Sequence, residues 1–99
     1  MINPLDEISF LQVSWVRHNN VSLISVGKYK YIRDDRFRIV HEHHDEDWIL
    51  AIKSVKEADQ GVYECQVNAS PLLRQKFYLS IVGKQLNFWV LIFLHQKTI

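Results

Sequence analysis

A single cysteine, Cys65, gives this sequence no means of forming an internal disulfide, so the cysteine count assigns no redox compartment. Three glycines are too few for a phosphate-cradling loop, and no serine stands in a nucleophile-elbow context. Charge of one sign is lacking too: 12 Lys and Arg against 11 Asp and Glu leave a net +1, interspersed without a basic stripe. Nothing in that balance favours nucleic acid as a partner. The apolar run "LNFWVLIFL", Leu86 to Leu94, is shorter than the roughly 20 residues that cross a bilayer. The opening "MINPLDEISF" has neither the basic n-region nor the apolar h-region of a secretory signal. Taken literally, the sequence carries no export or membrane information.

What is present is a dense apolar pattern. Ninety-nine residues make one domain at most, and 47% apolar with 12% aromatic residues suffice for a core. From Gln12 to Val82 short extended segments alternate with turn chemistry. "VSWVR" ends at His18-Asn19-Asn20, "SLISVG" closes at Gly27, and "KYKYI" leads to the turn at Asp34-Asp35. "FRIVHE", "WILAIKSV", "VYECQVN" and "KFYLSIV" follow. The period is two: Trp48, Leu50 and Ile52 share a face, as do Tyr63, Cys65 and Val67, and Phe77, Leu79 and Ile81. Such alternation, with turns every 8 to 12 residues or so, predicts an all-β sandwich.

"DQGVYEC", residues 59 to 65, resembles the start of strand F of an immunoglobulin domain, and the whole region resembles a V-type domain. Trp15 stands where the strand C tryptophan belongs, and Tyr63, two residues before Cys65, at the tyrosine-corner position. The resemblance implies that Arg36 and Asp59 form the ion pair bridging the base of the sandwich. A narrower resemblance is carried by "VSWVR", "LISVGKYKYIRDDRF", "HHDEDWILAI" and "GVYECQV". Together they look like the first immunoglobulin domain of the insect defective-proboscis-extension-response (Dpr) family. Those neuronal surface proteins pair with immunoglobulin-domain proteins of the Dpr-interacting family through the GFCC′C″ sheet. The resemblance thus implies protein–protein recognition at the extracellular side of the neuronal membrane.

The departures from the family shape the expected organisation. The strand B cysteine would fall near Asn3 and is absent, and residues 1–11 match nothing in the family. We therefore expect a divergent segment at 1–11, an incomplete V-type sandwich of strands C to G at 12–83, and an apolar tail at 84–99. Strands A and B and the second domain would be missing. The absent disulfide would have closed a loop of about 60 residues, contributing on the order of 4 kcal/mol, so marginal stability is expected. The tail lacks clean alternation, and the pattern leaves only Gly83 to Gln85 to link it to the last strand. It is expected to lie unpacked; the competing expectation is that it adds to the vacated edge of Trp48 to Val55.

Given Trp15 and Cys65 inward, period two turns Val16, His18, Glu64 and Gln66 outward. By resemblance Leu23, Ser25, Tyr29, Tyr31 and Tyr78 join them as partner-binding residues. Apolar and tyrosine side chains on one sheet face suit a recognition patch, against the alternative of an ordinary surface with stray hydrophobics. "HEHHDED", His41 to Asp47, has metal-ligating residue types but no second spaced pair, and reads as a polar turn. Cys65 lies on the core face, where a thiol is inert, so no catalytic residue, cofactor or small-molecule substrate is expected. Asn20 and Asn68 head N-x-S sequons, one in the C–C′ turn and one after strand F, usable only on an exported chain. Two functional alternatives stand beside recognition: a truncated fragment with no binding activity, or a generic structural immunoglobulin module.

Overall fold

Residues 12–42, 47–83 and 89–95 are described by the computed structural model, and they form two antiparallel sheets. The elements are β1 (Val13–Arg17), β2 (Ser22–Val26), β3 (Tyr29–Lys30), β4 (Phe37–Val40), β5 (Asp47–Lys53), β6 (Gly61–Val67), β7 (Leu73–Leu79) and β8 (Trp89–His95). A 3-10 turn, Glu57–Asp59, joins β5 to β6. One sheet runs β3-β2-β1-β6-β7 and the other β4-β5-β8. The first is the C″C′CFG order of a V-type immunoglobulin sheet, and β4 and β5 take the places of D and E.

The alternation in the sequence becomes the core. Trp15 on β1, Tyr63 and Cys65 on β6, Phe37 on β4, and Leu50 and Ile52 on β5 are all buried between the sheets. Trp15 packs its ring on Phe77 with centroids 5.9 Å apart and planes tilted by 44°, an arrangement aromatic pairs favour. β7 starts at Leu73, earlier than the "KFYLSIV" pattern suggests, because Val67 pairs directly with Leu73 and only Asn68 to Leu72 turn. That turn holds a cis Ser70–Pro71 peptide.

Two expectations are corrected. Ser25 does not face outward. The β1–β2 pairing shifts register between Trp15 and Val16, so Ser25 lies opposite Trp15 while Leu23 lies opposite Val16. The extra residue, Ile24, breaks the period of two, and Ser25 is fully buried. The second correction concerns the tail, which is packed over residues 89 to 95. β8 pairs antiparallel with β5 from Asp47↔His95 to Lys53↔Trp89. Ile92 and Leu94 enter the core cluster, with Val90 packed against it. β8 thus fills the strand B position beside E. The linker is longer than the sequence suggests, because β7 ends at Leu79 and β8 begins at Trp89.

Candidate recognition face

Cross-strand pairing on the five-stranded sheet sets outward side chains in rows. Tyr29, Val26, Ser14, Gln66 and Arg74 form one row; Leu23, Val16, Glu64 and Lys76 form the next. Val62 and Tyr78 pair beyond them, next to His18, whose backbone N–H donates to the Val62 carbonyl at 2.9 Å. Tyr31 follows β3, and its ring meets that of Tyr29 at 4.7 Å between centroids. The large apolar side chains here are open to solvent, from 42% at Leu23 to 78% at Tyr78. Val16 and Gln66 are half-buried within the rows.

Glu64 is on this face yet almost covered, with a side chain 6% exposed, and its Oε1 lies 2.8 Å from His18 Nε2. A buried carboxylate requires such a partner. Periodicity places both residues outward but gives no sign of this burial, which comes from the neighbouring strands. Of the residues expected on the face, eight of nine are therefore brought together, Ser25 excepted.

The base of the sandwich is a separate polar cluster. Arg36 Nη1 and Nη2 donate to Asp59 Oδ2 and Oδ1 at 2.7 and 2.9 Å, and Arg36 also bonds Asp34. The Lys56 backbone N–H donates to Asp59 Oδ2 at 2.7 Å, and Tyr63 Oη–H donates to the Asp59 carbonyl at 2.6 Å. Burial pushes the Asp59 carboxyl up, but the Arg36 and Lys56 hydrogen bonds outweigh it and hold the group below its ordinary value. Arg17, for which the sequence gives no signal, adds a second cation, with Nη2 at 3.4 Å from Asp59 Oδ1 and 2.7 Å from the Ala58 carbonyl. The adjoining Gly61 has φ +136°, and a Cβ there would run into the Asn19 side chain, which donates to the Gln60 carbonyl.

Cys65 has no disulfide partner, and burial pushes its thiol up to about 11. His41 stacks on Trp48 at 3.8 Å and donates from Nδ1 to the Asp47 carbonyl. Residues 43–46 of the "HEHHDED" stretch lie outside the described residues. Among the described residues no three ligating side chains gather as a metal site would need. Asn20 is exposed in the β1–β2 turn, and Asn68 Oδ1 accepts from the Gln12 N–H at 2.7 Å. Among the described residues, no helix is long and apolar enough to cross a membrane.

Sheet order, the core tryptophan, the tyrosine corner and the buried ion pair define an immunoglobulin V-type domain. A chain in the solved complex of Dpr1 IG1 with DIP-eta IG1 superposes on it with a TM-score of 0.70 and 31% identity, covering 75% of this chain and 70% of that one. The complex of Dpr11 IG1 with DIP-gamma gives 0.68 and 34%, covering 74% and 76%. The ZIG-8 IG1 homodimer, at 22% identity and a TM-score of 0.68 over 75% of this chain and 63% of that one, shares the fold. Among curated relatives, Lachesin of Schistocerca americana is 41% identical over 44 residues, which are 44% of this chain and 13% of Lachesin. The zig-8 protein of Caenorhabditis elegans is 22% identical over 71 residues, 72% of this chain and 26% of its own length. The chain thus spans about a quarter or less of the curated relatives it matches. No family model matches it. It is an immunoglobulin domain of the Dpr type.

Proposed function

We propose that this domain recognises another immunoglobulin domain at the cell surface, through the outward face of β3-β2-β1-β6-β7. The observation that carries the reading is the exposure of Leu23, Tyr29, Tyr31 and Tyr78 on one sheet face. Tyrosines supply large contact area at low entropic cost, and exposed apolar groups gathered on one face suit a partner better than water. Val16, His18, Glu64 and Gln66 contribute the polar and apolar ground between them. The neighbours in solved complexes, Dpr proteins with DIPs, support a Dpr-interacting immunoglobulin protein as the partner class, and neuronal synaptic recognition is the setting the family resemblance implies. Asn20, at the turn near the sandwich base, is the sequon whose glycan leaves this face open.

The test is surface plasmon resonance of the 99-residue chain against a panel of Dpr-interacting first domains. Leu23→Asp and Tyr31→Asp should each abolish binding, because each buries an unpaired charge in an apolar contact. Lys56→Asp, at the base, should change it little. Equal loss at all three positions, or a folded chain that binds no member of the panel, overturns the reading.

A further inference from the structure

β8 differs from every other sheet edge of this domain. The two described sheets end in β3 and β7, and in β4 and β8. β3 is two residues long, β7 carries exposed Arg74, Gln75 and Lys76, and β4 carries exposed Arg38. Short length and exposed charge are the devices that deter strand addition. β8 reads WVLIFLH, holds continuous register with β5, and contains no Lys, Arg, Asp, Glu or Pro. Its other side meets no described strand. Outward on it, Trp89, Leu91 and Phe93 are 43 to 49% exposed, and beside it a cavity of about 360 Å³ opens against Phe77 and Leu79 of β7.

We propose that this edge is an interface with a second copy of the same chain, in which the two β8 strands pair antiparallel about a two-fold axis at Ile92. The two three-stranded sheets then join into one of six strands. An axis on a residue keeps outward side chains outward, and Ile92, the middle of seven residues, lets the whole strand pair. Phe93 then lies opposite Leu91 of the second copy. The apolar row Val40, Ile49, Phe93 continues into Leu91 and Ala51 of the second copy.

Charge selects the same arrangement. Arg38 and Lys53 both lie over the Trp89 ring, at 5.5 and 5.9 Å, and make one end of β8 basic. Asp47 pairs with His95 at the other end. The two-fold axis sets the basic end of each copy beside the Asp47 end of the other, whereas a parallel pairing would set like beside like. Specific interfaces bury about 800 Å² per partner, and one seven-residue edge covers less. The dimer is accordingly weak and concentration-dependent.

Sedimentation equilibrium of the 99-residue chain should show a monomer–dimer equilibrium. Leu91→Lys and Phe93→Lys should each weaken association by at least about tenfold, with the far-UV circular dichroism of the parent retained. Tyr31→Asp, on the proposed recognition face, should leave association unchanged. A monomer at every concentration overturns the proposal, as does association that survives Leu91→Lys but is lost in Tyr31→Asp. Should both lysine variants unfold, a cysteine pair decides. Leu91→Cys mixed with Phe93→Cys should cross-link under mild oxidation, and Leu91→Cys alone should not; equal cross-linking of both samples overturns the register.

Discussion

Arg36 holds Asp59 by two parallel hydrogen bonds, 2.7 and 2.9 Å long, and so ties the start of β4 to the turn before β6. The Asp59 side chain is only 2% exposed, so it retains little water to compensate for a lost partner. Arg36→Ala is therefore expected to destabilise the domain by about 3 kcal/mol, the scale seen when one side of a buried pair is removed. Arg36→Lys should recover part of this, since an ammonium cannot make the paired contact. Urea denaturation midpoints measure both. A loss below about 0.5 kcal/mol would mean that the pair behaves as a solvated surface contact.

The same cluster sets an acid limit. For Asp59 and for Asp34, burial raises the carboxyl pKa and the Arg36 hydrogen bonds more than offset it, so both sit below their ordinary values. Unfolded aspartate titrates near about 3.9. A lowered folded value means that the contribution is complete above that pH and disappears as pH falls through the folded values. Stability measured from pH 7 downward should hold to about pH 4 and then drop. In Arg36→Ala the drop should be shallower, and an unchanged acid profile would assign it to other carboxylates.

Much of the sandwich is legible in the sequence because its two faces differ chemically. Trp15, Tyr63 and Cys65 alternate with Val16, Glu64 and Gln66, and that contrast fixes both strand and face. Ser25 escapes the same logic because the irregularity between β1 and β2 leaves no compositional mark: Leu23, Ile24 and Ser25 read as ordinary alternation. β8 escapes for the opposite reason. Its inward Ile92 and Leu94 alternate with outward Trp89, Leu91 and Phe93, so both faces are apolar and the period of two is invisible. The Arg36–Asp59 pair was readable only through the family resemblance, since 23 residues separate its members in the chain.

Cys65 provides a probe of opening. Its thiol is buried and pushed up to about 11, so almost no thiolate exists in the folded domain near neutral pH. Reaction with a soluble disulfide reagent at pH 8 should be slow and should accelerate across the urea transition. The pH sign is opposite to that of the aspartates. With a folded value above the unfolded one of about 8.5, stability is complete below that pH and declines as pH rises toward the folded value. Fast labelling of the folded chain would show that Cys65 is not covered.

The final prediction concerns what stands in for strand B. A V-type sandwich without its second sheet's inner strand would leave the edge of β5 unpaired and one flank of Trp15 and Cys65 open. β8 supplies seven paired positions along β5, and its Ile92 and Leu94 are 7% and 4% exposed. Ile92→Ala and Leu94→Ala should each cost about 2–4 kcal/mol, the range for truncating a buried aliphatic side chain. Leu91→Ala, on the half-exposed outward row, should cost less than about 1 kcal/mol. That alternation in cost at adjacent positions is the signature of a docked strand, since an unpacked tail would give no loss at any of them. Removing 84–99 should abolish the cooperative melt, because a domain of marginal stability cannot lose both the core side chains and the β5 pairing. A truncated chain that melts cooperatively at the parent temperature, followed by circular dichroism, would show that β8 contributes nothing to the fold.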